Sequence, residues 1–242
     1  MQQVGRFVEE LLRRSRERRA QAEAAREEIA AAEERVRRGA QEALEVGLTR
    51  HLGACGVPEA VLEALRGPQR DTPAMQGVQR WLASDKPICI LTGGVGAGKT
   101  VAAATVLRQA TRWAETLAHP LSDEPVRFPV YDARRGLFVT AAQLRVASRY
   151  VEGREASLLD RAATVAWLVL DELRPADLAG AGLQRLEEVL GERYAMQRRT
   201  VITTNSAQEV LAGELSERLK SRFAEGAMVI DAGDLDLRRA RR

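Results

Sequence analysis

The hydrophobic pattern divides the chain into two parts. Residues 6–46 contain no proline, and only Gly39 interrupts a run of strong helix formers, which predicts one long helix. When heptads are counted from the first residue, positions a and d are non-polar apart from Ser15 and Arg18. This narrow, alanine-rich seam suits a thin coiled coil or a partner-binding helix, and a solvated helix packed loosely on the body is the alternative.

The rest of the chain alternates between two periodicities. Glycine and proline punctuate residues 47–74, where we expect a connector with one short helix at 58–66. Beyond it, the predicted strands are Ile88–Leu91, Leu137–Thr140, Val165–Leu170, Thr200–Thr204 and Met228–Ile230. The predicted helices cover 98–117, 141–150, 156–164, 181–198 and 207–223. Short buried strands that alternate with helices predict an α/β fold with a five-stranded parallel sheet flanked by helices.

A glycine-rich stretch, Gly93-Gly94-Val95-Gly96-Ala97-Gly98-Lys99-Thr100, follows the first strand of this sheet. It fits the pattern G-x-x-x-x-G-K-[ST] between a strand and a helix, which is typical of a loop that binds phosphates. Glycines let the backbone turn its N–H groups toward a polyphosphate such as that of ATP. Lys99 is predicted to reach the β- and γ-phosphates, and the Thr100 hydroxyl to hold Mg²⁺. The predicted nucleotide-binding residues are Gly93, Gly94, Val95, Gly96, Ala97, Gly98, Lys99, Thr100 and Val101.

Composition narrows the possible functions. Basic residues number 37 and acidic residues 34, and the net charge of +3 does not by itself argue for nucleic acid. Only three of the basic residues are lysines, and a compact ammonium suits a phosphate loop better than the fork of arginine. No apolar run approaches 18 residues, so we expect no membrane span and a cytoplasmic protein. Trp81, Trp113 and Trp167 are predicted to be core residues, and His51 and His119 are given no catalytic role.

Two carboxylates follow the third predicted strand. Asp171 and Glu172 come directly after Leu170, at the edge of the sheet where open α/β folds bind ligands. Asp171 is predicted to bind Mg²⁺, and Glu172 to orient and polarise an attacking water. Asn205 follows the next strand, where its amide would hold that water or would cap a helix that starts near residue 207.

Arginines near the C-terminus supply candidate positive charges. Arg218 and Arg222 lie four residues apart on one helical face, either as a surface pair or as a residue that meets the γ-phosphate of a neighbouring subunit. Arg238 follows the last strand, where it would fold back on the nucleotide or belong to a basic tail.

Together these residues resemble the DnaC/IstB-type branch of the AAA+ ATPases, the bacterial and phage helicase loaders and transposition helper ATPases. The resemblance covers residues 57–238, and the initiator DnaA carries a similar arginine box. It rests on Gly93–Thr100, Asp171-Glu172, Thr203-Thr204-Asn205, Arg218-Leu219-x-Ser221-Arg222 and Gly233…Arg238. The chain departs from loaders in reading Asp171-Glu172-Leu173-Arg174 where they commonly read Asp-Asp-Leu-Gly, and in having a helical arm instead of a zinc module.

The resemblance implies further roles. Asn205 would be sensor 1, Arg222 or, as second choice, Arg218 the arginine finger acting in trans in a homo-oligomer, and Arg238 a sensor-2-like residue. Residues 141–164 would be the insertion that lines a channel for single-stranded DNA. The implied domains are a helical arm at 1–50, a connector at 51–74 and an AAA+ ATPase domain with a reduced lid at 75–242.

Three functions remain open from the sequence. The first is an ATP-dependent loader that binds a replicative helicase through the arm and acts on single-stranded DNA. The second is an IstB-like ATPase that selects target DNA and binds a transposase. The third is a scaffold whose nucleotide site is only a switch.

Overall fold

The computed structural model describes residues 31–35, 37–39, 42–115, 127–149, 154–174, 181–206 and 215–237. Contacts divide the chain into two units, Met1–Gly47 and Leu48–Arg242. The described residues of the first unit are helical, and residues 6–30, 36, 40 and 41 of the predicted helix over 6–46 lie outside the described part. None of the helices described is long and apolar enough to cross a membrane.

The second unit is built on a five-stranded sheet in the order β4-β5-β6-β1-β7. Its strands are β1 (Ile88–Thr92), β4 (Gly136–Thr140), β5 (Trp167–Asp171), β6 (Arg199–Thr203) and β7 (Ala227–Asp231). All neighbouring pairs are parallel. Two further strands, β2 (Thr111–Glu115) and β3 (Arg127–Tyr131), form a separate antiparallel hairpin. Because every strand of the main sheet runs the same way, their carboxyl ends share one edge.

Helices cover both faces of the sheet. They are α1 (48–54, the part in this unit of a helix over 42–54), α2 (Glu59–Arg66), α3 (Pro73–Leu82), α4 (Lys99–Thr105), α5 (Ala141–Ala147), α6 (Arg154–Thr164), α7 (Ala181–Ala195) and α8 (Glu217–Gly226). Alternate side chains of a strand point to opposite faces, so Cys89 and Leu91 of β1 pack with α1 to α4. Ile88 and Ile90 pack in a second core with α5 to α8. This arrangement confirms the predicted α/β fold class.

Two arginines support the edge of the sheet where the strands begin. Arg193 of α7 is fully buried, and its guanidinium donates to the carbonyl oxygens of Ala162 and Val165 at 2.8 Å each. Burial lowers the pKa of Arg193 to about 9. Arg199 stacks on the ring of Trp81, with its Cζ 4.1 Å from the ring centroid. Arg193 therefore satisfies buried carbonyls and Arg199 stacks on a ring, and the sequence alone predicts neither role.

The structure corrects the prediction of a helix over 98–117. Helix α4 ends at Thr105, a short 3-10 helix covers Val106–Gln109, and β2 begins at Thr111. Threonine and tryptophan favour strands, and here they pair with the extended segment of β3. Trp113 lies on this hairpin with 70% of its surface exposed, so its predicted core position is wrong, whereas Trp81 is buried.

Other boundaries also differ from the predictions. Helix α3 begins inside the predicted connector, where the Thr72 side chain accepts a hydrogen bond from Met75 N–H and Pro73 occupies the first helical position. Of the predicted helix 207–223, residues 207–214 lie outside the described part, and α8 extends to Gly226.

Candidate nucleotide-binding site

The glycine-rich loop lies between the end of β1 and the start of α4. Gly96 has a φ of 84° and Gly98 a φ of 82°, in the left-handed region that glycine adopts without strain. Gly98 precedes the first residue of α4, which is Lys99. The sequence therefore folds here into the strand–loop–helix arrangement that the motif requires.

Lys99 lies inside this loop. Its side chain is buried, and its Nζ donates to the carbonyl oxygens of Gly93 and Gly94, each at 2.6 Å. Burial lowers the pKa of the Lys99 ammonium, and the carboxylates of Asp171 and Asp234 act in the opposite direction. The loop thus holds a cation at the place where the motif puts the phosphates.

Asp171 lies at the end of β5 and meets the loop through Thr100. The Thr100 hydroxyl donates to Asp171 Oδ1 at 3.0 Å, and the Thr203 hydroxyl donates to the same oxygen at 2.6 Å. Only 5% of Asp171 is exposed. Burial raises the pKa of Asp171, while the hydrogen bonds from Thr203 and Thr100 lower it.

These groups fit Mg²⁺ in chemistry. Mg²⁺ takes oxygen ligands and is usually held by one or two carboxylates together with water and the phosphates of a substrate. A carboxylate and a hydroxyl at the edge of a phosphate loop supply such oxygens, so Asp171 and Thr100 suit the ion that the motif implies.

Thr203, at the end of β6, received no role from the sequence. Its hydroxyl donates to Asp171 and also accepts a hydrogen bond from the Glu172 N–H at 2.9 Å. Glu172 has a φ of 55°, uncommon for a residue with a side chain, and it is exposed. One hydroxyl therefore fixes both members of the acidic pair. A threonine at a strand end is a weak signal in sequence, because only the adjacency of β5 and β6 gives it this position.

Asn205 lies at the edge of the sheet that carries the site, whereas Arg218 and Arg222 lie on α8. Asn205 is exposed just beyond the end of β6, at the same edge as Asp171. Arg222 packs against α7, with its Cζ 5.7 Å from the centroid of the Tyr194 ring, whereas Arg218 is exposed on α8. The contacts of these two side chains do not join them to the phosphate loop of their own chain within the described part. Arg238 lies outside the described residues.

The segment that follows β7 contacts the loop. Gly94 N–H donates to the Gly233 carbonyl at 2.9 Å, and Leu237 N–H donates to the Gly96 carbonyl at 3.1 Å. β7 is the neighbour of β1, so the chain leaves β7 beside the loop that follows β1. The sequence allows Arg238 either to fold back on the nucleotide or to belong to a basic tail, and it does not predict these main-chain contacts.

The parallel sheet and the loop between β1 and α4 define an α/β fold with the strand–loop–helix arrangement of a P-loop. A scan against protein-family models and a search of curated proteins found no match to the sequence. Among solved structures, the chain is similar to the DnaC helicase loader at 18% identity and a TM-score of 0.47, covering 68% of this chain and 92% of that one. It is similar to DnaI at 18% identity and a TM-score of 0.47, covering 70% and 86%.

The chain is also similar to AMPPCP-bound DnaA from Aquifex aeolicus, at 16% identity and a TM-score of 0.46 over 66% of this chain. It spans 43% of that chain, and 44% of a DNA replication initiation factor that it also matches. DnaC and DnaA, both named in the resemblance carried by the motifs, are among these structures.

Proposed function

We propose that this chain binds ATP with Mg²⁺ and hydrolyses it to ADP and phosphate. The observation that carries the proposal is the contact of Thr100 with Asp171. These residues are 71 positions apart and belong to separate motifs, yet the hydroxyl of one lies 3.0 Å from the carboxylate of the other. Such a pair, next to a buried lysine in a glycine-rich loop, supports a site for a metal-bound triphosphate.

Each residue of the site has a role in this proposal. Loop N–H groups and the Lys99 ammonium bind the β- and γ-phosphates, while Thr100 and Asp171 hold Mg²⁺. Mg²⁺, when bound, neutralises charge on the phosphate oxygens. Glu172, helped by Asn205, orients a water whose oxygen bonds to the γ-phosphorus as the bond to the β-γ bridging oxygen breaks. The proton of that water passes to the Glu172 carboxylate and then to solvent.

An arginine from a neighbouring copy completes the site in the proposal. Such arginines stabilise the charge that develops on the γ-phosphate. The resemblance puts Arg222 first and Arg218 second. The exposure of Arg218 supports the reverse order, because Arg222 is held against Tyr194. The homo-oligomer itself is part of the proposal.

The motifs that resemble those of helicase loaders support a role for this chain in DNA replication. We infer that the ATPase domain at 75–242 acts as a helicase-loader-like ATPase on single-stranded DNA, with the arm at 1–50 binding the replicative helicase and residues 51–74 as connector. The test is to measure binding of the full chain to a purified hexameric helicase and, separately, to a transposase. Binding to the helicase alone supports the loader, and binding to the transposase alone overturns it in favour of the transposition ATPase.

Phosphate release from ATP, measured with and without single-stranded DNA, tests the ATPase. Lys99→Ala is expected to abolish ATP binding and turnover, because the ammonium is lost, whereas Glu172→Gln is expected to retain ATP and lose turnover. Lys86→Ala is the matched control, because Lys86 precedes β1 at the opposite edge of the sheet. Wild-type protein that binds ATP but releases no phosphate under any of these conditions would favour the nucleotide-switched scaffold instead.

A further inference from the structure

Residues 233–237, which we call the acidic strap, run along the phosphate loop. Before the strap, Ala232 N–H donates to the Thr92 carbonyl at 2.9 Å and so extends the pairing of β7 with β1. The chain then turns at Gly233, whose φ is 73° and whose N–H donates to Asp231 Oδ1 at 2.9 Å. The start of the strap is therefore fixed to the strand from which the loop emerges.

Main-chain hydrogen bonds join the strap to the loop at both ends. Gly94 N–H donates to the Gly233 carbonyl, and Leu237 N–H donates to the Gly96 carbonyl. The guanidinium of Arg70, from the segment before α3, donates to the Leu237 carbonyl at 3.2 Å. Hydrogen bonds to Gly94 and Gly96 of the loop, and one from Arg70, thus hold the strap in place.

Two carboxylates of the strap lie against glycines of the loop. A Cβ atom on Gly94 would lie 3.0 Å from Asp234 Oδ1, and a Cβ atom on Gly96 would overlap the Asp236 carboxylate. Asp234 also acts on Lys99, because its negative charge raises the pKa of the ammonium. The strap therefore brings two negative charges to the loop that is built to bind a polyanion.

We propose that the acidic strap regulates the nucleotide site by opposing the binding of a triphosphate through Asp234 and Asp236. This inference rests on the proposed function, since it concerns the same loop. A triphosphate on the loop would repel the two carboxylates, and the lysine that attracts the phosphates is shared with Asp234. Coupling of this kind is reciprocal, so ATP binding loosens the strap as much as the closed strap weakens ATP binding.

The direct test is the affinity of the full chain for Mg²⁺-ATP, measured by titration calorimetry at low and high salt. The double variant Asp234→Asn/Asp236→Asn keeps the shape of the side chains and removes both charges. We expect it to bind ATP roughly tenfold more tightly than wild type at low ionic strength, with the difference shrinking as salt screens the charges. The control Asp85→Asn/Asp160→Asn also removes two acids and should leave the affinity within about twofold of wild type.

A second measurement follows the strap itself. Hydrogen exchange at the amide of Leu237 is expected to speed up when ATP binds, because this amide joins the strap to the loop. Arg70→Gln, which removes the contact of the guanidinium with the Leu237 carbonyl, should speed up the same exchange without ATP.

The outcomes separate this inference from the function on which it rests. If wild type binds ATP but the double variant stays within about twofold of it at low salt, the acidic strap is not a regulator and the proposed function stands. If neither protein binds ATP, both proposals are overturned. Circular dichroism of each variant shows whether a change in affinity reflects a loss of fold.

Discussion

Thr203 and Asp171 are joined by a 2.6 Å hydrogen bond from a threonine hydroxyl to a buried carboxylate oxygen. The same hydroxyl accepts the N–H of Glu172. One side chain on β6 therefore sets the orientation of both acids at the end of β5. In the proposed ATPase this makes Thr203 a positioning residue, which acts through Asp171 and Glu172.

Replacing Thr203 with valine tests that role. Thr203→Val keeps the size of the side chain but leaves Asp171 Oδ1 and the Glu172 N–H without this hydrogen-bond partner. A hydrogen bond to a charged group contributes about 1.5–3 kcal/mol. We expect kcat for ATP hydrolysis to fall roughly 10- to 100-fold and the Mg²⁺ concentration for half-maximal rate to rise. Thr204→Val, a change at the next buried threonine, is the control, and equal kinetics for the two variants would contradict the role.

Mixing two inactive variants shows which arginine, Arg218 or Arg222, acts on the nucleotide of a neighbouring subunit. Arg218→Ala alone is expected to reduce turnover by roughly 10³-fold or more if it meets the γ-phosphate of a neighbour. A mixture of Arg218→Ala with Lys99→Ala should regain part of the activity, since one chain then supplies the loop and the other the arginine. If only the mixture with Arg222→Ala regains activity, Arg222 is the trans residue, and full activity of both single variants would contradict a trans site. Arg185→Ala, on the exposed surface of α7, is the control.

The buried arginine of α7 carries a prediction about stability alone. Arg193→Ala leaves the carbonyls of Ala162 and Val165 and the Thr200 hydroxyl without a donor that each has at 2.8 Å. We expect the free energy of unfolding, measured in urea, to fall by about 3 kcal/mol or more. Arg185→Ala on the same helix should change it by less than about 0.5 kcal/mol, and a similar small change for Arg193→Ala would show that these hydrogen bonds contribute little.

Both cysteines are predicted to be unreactive in the native protein. Burial raises the pKa of Cys55 to about 11 and that of Cys89 to about 12. The thiolate is the reactive form, so at pH 8 well under about 1% of either group is available, and both side chains are fully buried. Mass spectrometry after iodoacetamide treatment should find neither cysteine modified in native protein and both modified after denaturation. Rapid native labelling of either one would show that its core opens.

The motif and the strand pattern correctly predicted a glycine-rich loop between a strand and a helix, and the main sheet. Short apolar runs between helices define buried parallel strands, and the loop motif names its own strand and helix. The hairpin of β2 and β3 was missed, because the alanine-rich start of α4 continued the helical pattern into Thr111–Glu115. Only pairing with β3 makes that segment a strand, and the pairing is not local in sequence.

The contacts around the loop depend on the order of strands in the sheet, which local sequence patterns do not give. Thr203 reaches Asp171 because β6 lies beside β5, and the acidic strap reaches Gly94 because β7 lies beside β1. The neighbours β5 and β6 are consecutive along the chain, but the first strand, β1, lies beside the last, β7, and that pairing does not follow from the order of strands. The sequence therefore predicted the loop and the two acids, and the structure adds the residues that hold them.

The contact of Thr100 with Asp171 is tested most directly by the effect of Mg²⁺ on ATP affinity. Titration calorimetry is to be run on wild type and on Asp171→Asn, each with Mg²⁺ and with a chelator. We predict that wild type binds ATP at least about tenfold more tightly with Mg²⁺, and that Asp171→Asn binds ATP with nearly the same affinity in both conditions. A full Mg²⁺ effect in Asp171→Asn, or wild-type protein that does not bind ATP, would contradict the account.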